Sequence, residues 1–327
     1  MRLRYAGLGA VSLLALIGFG LPAVLVSDFY LSLAVDAVVL GLYAVAIGFL
    51  VRQCGLVSFG HGGFFGGGAY LVTIALSSWN LQPAASVLAA VAGATLLAGL
   101  IGMLIVRVPG VSFAMLTLAL SQGIYVLTTK ARGFTGGFDG IPLRFPGTLL
   151  GHSRGELADA ATFWPYAWGA LVLALVLLAL VSRSHFGRLL VAIRENEERA
   201  RFCGYGTYWP RVGAFALSGG VAGLAGVLFA LHRDFVSPEL LYWTASGNSL
   251  VMALLGGTAL LAGPVVGAAV FVFGRDAVST VTERWQMLIG LALIVVIVFS
   301  PEGLTGAARL AAARVATALR RRKPSPS

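Results

Sequence analysis

The sequence predicts an all-α membrane protein, a polytopic helical bundle with about ten (eight to ten) membrane-spanning helices. Of its 327 residues, 58% are hydrophobic and 11% are charged, and the mean hydropathy is +0.89. This composition is typical of membrane proteins and excludes an ordinary soluble domain. Two cysteines, Cys54 and Cys203, are too few for a disulfide framework or a zinc site.

Ten apolar segments approach the roughly 20 residues that a helix needs to cross the hydrocarbon. They lie at about residues 7–26, 31–51, 62–79, 83–106, 111–129, 162–182, 211–231, 244–261, 264–282 and 285–300. The first follows Arg2 and Arg4 and resembles a signal peptide, but it is long and lacks an A-x-A-like cleavage site. We therefore expect a retained first helix.

The basic residues predict the orientation of these spans. If both termini are cytoplasmic, 16 of the 23 basic residues lie on the inner side, as the positive-inside rule requires. Residues 1–306 then form one transmembrane domain with a cytoplasmic loop at about 183–210 and a long outer loop at about 130–161. Residues 307–327 are expected to form a basic cytoplasmic tail at the inner surface. Lipid, and not nucleic acid, is the expected partner of these charges.

A glycine-rich stretch, GLVSFGHGGFFGGGAY, runs from Gly55 to Tyr70, and seven of the fourteen residues from Gly55 to Gly68 are glycine. Irregular backbone at membrane depth is tolerated where it packs in protein or lines a water-filled cavity, so two interpretations stay open: a translocation pathway and a close helix contact. A lone histidine here is more often a structural hydrogen-bonding group than a proton relay. The pathway candidates are Ser58, Gly60, His61, Gly62, Gly63 and Gly66.

The outer loop contains GFTGGFDGIP, from Gly133 to Pro142. Its glycines and proline predict a compact turn structure. Gly136, Gly137 and Asp139 are candidates for an outer gate or for docking a partner, and an ordinary connecting loop is the alternative. A second glycine-interrupted region, GGTALLAGPVVG, begins at Gly256. Paired interruptions in the two halves of a chain can indicate broken helices around a pathway.

A charged segment from Arg183 to Arg201 holds eight of the chain's 36 charged residues. Its apolar residues, Phe186, Leu189, Leu190 and Ile193, have the spacing of one face of an amphipathic helix. Glu195 with Arg199, and Glu197 with Arg201, are expected i, i+4 ion pairs within that helix, and Gly204 is an expected stop. A short exposed helix between spans suits a transporter moved by a separate motor, and a plain positive-inside loop is the alternative.

Enzyme functions are not indicated. The lysines, Lys130 and Lys323, are not in a P-loop context, and the sequence has no H-E-x-x-H or G-x-S-x-G motif. Leu217-Ser218-Gly219-Gly220 resembles the start of an ATPase signature but lies in an apolar span, so helix packing is expected. No cofactor or metal is expected. Few ionisable residues fall within the spans, which argues against a proton- or sodium-coupled carrier.

Six motifs together resemble one family, the permease subunits of branched-chain amino acid ABC importers, and most closely its LivM-type member. The motifs lie between about residues 40 and 305: GLVSFGHGGFFGGGAY, GFTGGFDGIP, FGRLLVAIRENEERARFCGY, FVSPE, GGTALLAGPVVGA and FSPEGL. The resemblance implies a multi-pass protein of the bacterial inner membrane that hydrolyses no ATP itself. Relatives that import urea, amides or organic acids leave those substrates open, and a stand-alone secondary transporter or channel is the second alternative.

The resemblance also implies partners and a coupling site. The partners are a homologous second permease, two ABC ATPase subunits and a soluble or lipid-anchored substrate-binding protein. The inner loop would carry the helix that seats in the ATPase. Its candidate residues are Gly187, Arg188, Ile193, Arg194, Glu195, Asn196, Glu197 and Glu198.

Overall fold

The fold was analysed in a computed structural model of the chain. It describes residues 18–20, 22, 27–79, 81–144, 147–149, 151–300 and 302–306. Most of the expected first span and the whole expected tail at 307–327 lie outside the described residues. The described part is almost entirely helical, which confirms the all-α prediction.

Thirteen α-helices are defined between Asp28 and Phe299. They are α1 Asp28–Cys54, α2 His61–Ser77, α3 Pro83–Ile105, α4 Gly110–Lys130, α5 Arg132–Thr135, α6 Arg154–Ala158, α7 Ala160–Arg183, α8 His185–Glu195, α9 Glu197–Phe202, α10 Tyr208–Arg233, α11 Trp243–Gly256, α12 Gly263–Ser279 and α13 Trp285–Phe299. Each predicted span from 31–51 onward coincides, to within a few residues at most ends, with one of these helices. The seventh of those spans was predicted too long, because α11 stops before Gly257, whose φ of 94° leaves the helical region.

Five described helices, α1, α3, α4, α7 and α10, have the length and apolar composition to cross a bilayer. Helix α2 has 17 residues and α11 has 14. At 1.5 Å per residue these reach only about 25 Å and about 21 Å, short of the roughly 30 Å hydrocarbon core. The chain is non-helical at residues 55–60, before α2, and at residues 257–262, after α11, so the sequence correctly indicated a break at each place. The break at the first glycine-rich stretch is confined to residues 55–60, because the glycines from Gly62 to Gly68 lie within α2.

Small residues allow the central helices to approach closely. Helices α1 and α10 are largely buried, and α10 packs against α1, α2 and α3. A Cβ atom added at Gly219 would lie 2.3 Å from Ala98 Cβ, and one at Gly226 would lie 1.8 Å from the Phe65 carbonyl oxygen. The Ser218-Gly219-Gly220 sequence is therefore a helix-packing surface, as predicted. By contrast α3, α4 and α7 expose long apolar faces.

At the end of the bundle opposite α8, a two-stranded antiparallel sheet joins the two halves of the chain. Strand β1 (Ile141–Pro142) pairs with β2 (Phe235–Val236). Two ion pairs hold the same end together, Arg154 with Asp234 and Arg233 with Asp36. The intramembrane carboxylate of Asp36 thus has a local partner.

Candidate functional site

The glycine-rich corner between α1 and α2 packs against neighbouring helices. Helix α1 ends at Cys54, and Gly55, which follows it as the C-terminal cap, has a φ of 68°. Residues 55–60 are not helical, and Ser58 and Gly60 are buried. The backbone N–H of Phe59 donates to Thr117 Oγ1 of α4 at 3.1 Å. One backbone N–H of the irregular segment is therefore satisfied by α4, as is expected of non-helical backbone that packs against other spans.

His61 begins α2 and joins three helices through hydrogen bonds. Its Nδ1 lies 2.9 Å from Ser58 Oγ and its Nε2 lies 2.7 Å from Ser218 Oγ on α10. Ser218 Oγ in turn donates to the Ala46 carbonyl of α1 at 2.7 Å. Ser58 Oγ accepts from the Gly60 N–H at 3.2 Å.

These contacts specify one neutral tautomer of His61. Because the single Ser218 proton is used on Ala46, Ser218 must accept a proton from Nε2, and Nδ1 then accepts from Ser58. Every donor in this chain of hydrogen bonds has an acceptor, and the imidazole is fully buried between the rings of Phe64 and Phe215. His61 therefore connects helices through hydrogen bonds, as predicted for a structural histidine in this stretch.

Replacing Ser218 with alanine is expected to destabilise the fold. The Nε2–H of His61 and the Ala46 carbonyl would both lose their partner inside the bundle, at a cost of about 1–3 kcal/mol. Thermal unfolding of the purified variant measures this. Thr73→Val is the matched control, because the buried Thr73 hydroxyl donates only to the Ala69 carbonyl of its own helix at 2.9 Å. Equal stability of Ser218→Ala and wild type would contradict the assignment.

The remaining glycine candidates, Gly62, Gly63 and Gly66, contact α11, α4 and Leu241 closely. The Gly62 N–H donates to Ser246 Oγ of α11 at 2.6 Å. A Cβ at Gly63 would lie 2.9 Å from Ile124 Cδ1 of α4, and one at Gly66 would lie 2.6 Å from Leu241. The close-contact interpretation is confirmed for this conformation, and the pathway role of the segment stays a prediction.

The outer candidates form the compact turn that the sequence predicted. Gly136 and Gly137 have φ values of 71° and 62°. A Cβ at Gly136 would lie 2.1 Å from the Gly140 carbonyl oxygen, so the turn closes on itself. Asp139 is exposed at its tip, next to Phe138, which is also exposed. Gate or docking roles stay predictions.

The charged segment forms two helices, α8 and α9, instead of the single helix that was predicted to run on to a stop at Gly204. The chain is extended at Asn196, with φ −159° and ψ 102°, and Asn196 Oδ1 accepts from the Arg199 N–H at 2.8 Å to cap α9. The break separates Glu195 from Arg199, and no ion pair between them occurs among the described residues. The predicted pair of Glu197 with Arg201 is present at 2.6 Å. Helix α9 ends at Phe202, just before Gly204 at φ 84°.

Helix α8 is seated on the ends of α1 and α7. Leu190 and Ile193 are buried as predicted, and Gly187 packs so tightly that a Cβ would lie 2.3 Å from the Val181 carbonyl oxygen. Arg194 Nη1 donates to the Arg52 carbonyl near the end of α1. A Cβ at Gly55 would lie 2.9 Å from Arg194 Cγ. The helix therefore touches the corner that leads into the glycine-rich stretch.

The opposite side of α8 and α9 is open. Arg188, Glu195 and Glu198 are exposed. A shallow cavity of about 290 Å³ lies between the two helices, and it is lined by residues of both, including Leu189 and Ala200. This surface can receive a protein side chain.

Glu197 ties α9 to α10. Its carboxylate lies 2.7 Å from Arg211 Nη2 and accepts from Thr207 Oγ1 at 2.9 Å. Partial burial favours the protonated form of Glu197, but Thr207, Arg211 and Arg201 outweigh it and hold the pKa of this carboxyl below its usual value.

The stabilisation by Glu197 is expected to depend on pH. Because its pKa is lowered on folding, its contribution is fully present above the ordinary value of about 4.5 and is lost as pH falls through the folded pKa. The melting temperatures of wild type and Glu197→Gln should therefore differ at pH 7 and converge progressively as the pH is lowered below about 4.5. A difference that is the same at both pH values would contradict this account.

Several residues that hold these sites were missed in the sequence. Ser218 lies 157 positions from His61, and Arg52 lies 142 positions from Arg194, so no local pattern relates them. The break at Asn196 did have a signal: an Asn followed by Glu197 and Glu198 is a typical helix start.

The bundle of long apolar helices, joined by an amphipathic segment on one side, defines a polytopic membrane protein. The sequence profile of the family described as "Branched-chain amino acid transport system / permease component" matches residues 29–298. The chain belongs to this family and is an ABC importer permease of the LivM type.

Individual relatives agree with this assignment. The chain is 28% identical over 292 residues to the "High-affinity branched-chain amino acid transport system permease protein LivM" of Escherichia coli, covering 82% of this chain and 67% of that protein. The same identity and coverage hold for LivM of Salmonella typhimurium. The "Autoinducer 2 import system permease protein LsrC" of Salmonella paratyphi B is 31% identical over 225 residues, which cover 63% of this chain and 61% of that protein. No solved structure matches.

Proposed function

We propose that this chain forms half of the translocation pathway of an ABC importer for branched-chain amino acids and couples to ATPase subunits on separate chains. The observation that carries the coupling role is the contact of Arg194 with Arg52 and Gly55. This contact links an exposed, charged helix directly to the corner that opens the glycine-rich stretch.

The proposed mechanism is alternating access. ATP-driven closure of two ATPase subunits moves α8 and α9, whose open surface and cavity provide the docking surface. Arg194 transmits this movement to the α1–α2 corner, and α2 shifts against α4 and α10. Close glycine contacts favour such sliding, because packed interfaces have discrete arrangements and bulky side chains would lock them.

The partners in this proposal are those that the resemblance to the family implies, and the exposed surfaces offer each of them a place to bind. A homologous second permease covers an exposed apolar face of α3, α4 or α7. A substrate-binding protein outside the membrane docks near the turn at Gly136, Gly137 and Asp139. That turn is connected to α10 through β1, β2 and the ion pair of Arg154 with Asp234. Substrate release is thereby linked to α10, whose Ser218 forms a hydrogen bond with His61.

Branched-chain amino acids are the proposed substrates because the family description and the two LivM relatives name them. The LsrC relatives name a different solute, and urea, amides and organic acids remain alternatives. The proposed location is the bacterial inner membrane with both termini cytoplasmic, and the basic α8–α9 side faces the cytoplasm by the positive-inside rule.

Co-purification and reconstitution test the proposal. The chain is purified in mild detergent from its native membrane, the bound subunits are identified, and uptake of radiolabelled leucine into liposomes is measured with and without ATP. We expect an ATPase and a second permease to co-purify, and uptake to need ATP and a binding protein. Uptake by the isolated chain without ATP would instead support the secondary transporter, and ATP-dependent uptake of another solute would change the substrate.

A further inference from the structure

A cluster of arginine residues lies on the α8–α9 side of the bundle, where α3 ends and α10 begins. It surrounds a cavity of about 430 Å³. The polar residues that line this cavity are Arg107, Glu197, Arg201, Thr207, Tyr208 and Arg211. Three guanidinium groups face one carboxylate, so the cavity has a net charge of two positive.

The hydrogen-bonding capacity of these arginines is not used up. Glu197 is shared between Arg201 and Arg211, at 2.6 and 2.7 Å. Arg211 Nε is buried and has no hydrogen-bond acceptor among the described residues. Arg107 is exposed and lies over the Tyr208 ring at 4.7 Å, and it forms no ion pair within the described chain. The cluster therefore presents donors to an anion that the chain itself does not supply.

We propose that this cavity binds the phosphate of an anionic phospholipid from the leaflet on the α8–α9 side. Guanidinium groups match phosphate oxygens with paired hydrogen bonds. Basic pockets between membrane helices are the usual sites for anionic headgroups. The inference concerns binding alone and does not depend on the proposed substrate.

Neighbouring apolar residues favour a lipid over free phosphate. Leu96, Leu100 and Leu104 are spaced by four along α3 and are 68%, 59% and 78% exposed. They form a stripe that ends one turn before Arg107, where an acyl chain can lie while its headgroup occupies the cavity. Trp209, 67% exposed beside Tyr208, is of the type that lies at membrane interfaces.

Native mass spectrometry of the full chain in micelles with equal phosphatidylglycerol and phosphatidylcholine tests the proposal. We expect wild type to retain phosphatidylglycerol preferentially. Arg107→Gln should weaken that retention about five-fold, since each basic residue near an anionic surface contributes roughly 1 kcal/mol. Arg107→Lys should keep most of it. The matched control is Arg183→Gln, which removes one exposed positive charge from the same side.

The comparison also separates the alternatives. Arg201→Gln, at a side chain that is 65% exposed, repeats the test if Arg107→Gln does not fold. Equal retention by the Gln variants and wild type would overturn the proposal. Saturation by inorganic phosphate with no lipid preference would assign the cavity to free phosphate. Loss of a co-purifying ATPase, with lipid retention unchanged, would make the cluster a protein contact instead.

Discussion

Replacing Gly68 with alanine is expected to abolish or severely weaken the fold. A Cβ at Gly68 of α2 would lie 2.3 Å from the Gly223 carbonyl oxygen and 2.8 Å from its Cα on α10. Both obstacles are backbone, so they can yield only if the two helices separate. Overpacking typically costs about 1–3 kcal/mol, and a clash with backbone belongs at the upper end of that range. Thermal unfolding and the yield of monodisperse protein after size-exclusion chromatography measure the effect.

The adjacent Gly67 provides a matched control. A Cβ at Gly67 meets nothing within 4 Å, and the residue lies in the same turn of the same helix. Gly67→Ala should therefore retain the wild-type melting temperature or raise it slightly, because alanine favours helix more than glycine does. Similar behaviour of Gly67→Ala and Gly68→Ala would show that α2 and α10 are not in the contact described here.

Gly67 and Gly68 illustrate which structural features can be predicted from the sequence alone. Hydrophobic run lengths located nine helices to within a few residues at most ends, because burial in lipid demands long apolar segments whatever their neighbours. The sequence also showed that Gly55–Gly68 was unusual. It could not distinguish Gly67 from Gly68, because that difference depends on the distance to Gly223, a residue far along the chain.

Polar contacts were predicted less well, for a related reason. The buried face of α8 followed from its periodicity, and the ion pair of Glu197 with Arg201 followed from helix geometry. The network of His61 and the contact of Arg194 with Arg52 join distant segments, so neither has a local pattern. The prediction of a single helix failed at Asn196. The side chain of Asn196 caps α9 and so stabilises a break in the helix, which the spacing of the apolar residues does not show.

Removing the contact between α8 and α1 is expected to uncouple ATP hydrolysis from transport. Arg194→Gln loses the charged hydrogen bond to the Arg52 carbonyl and the packing of the longer side chain against Gly55. Helix α8 keeps its seat, because Leu190, Ile193 and Gly187 remain buried. If Arg194 transmits the movement of α8, uptake should fall about ten-fold or more, the effect of losing about 1.4 kcal/mol of coupling free energy. ATP hydrolysis and subunit assembly should be retained.

A matched charge removal distinguishes coupling from general electrostatics. Arg183→Gln takes one exposed positive charge from the residue that ends α7, just before α8, and it should leave uptake near the wild-type level. Glu195→Gln changes the exposed end of α8, so it should weaken the engagement of the ATPase while leaving the Arg194 contact in place. A double variant at Arg194 and Glu195 should be no worse than the more impaired single variant if both act in one route. Wild-type uptake by both single variants would show that the movement enters the bundle elsewhere, with α9 and its Glu197–Arg211 tie to α10 as the remaining connection.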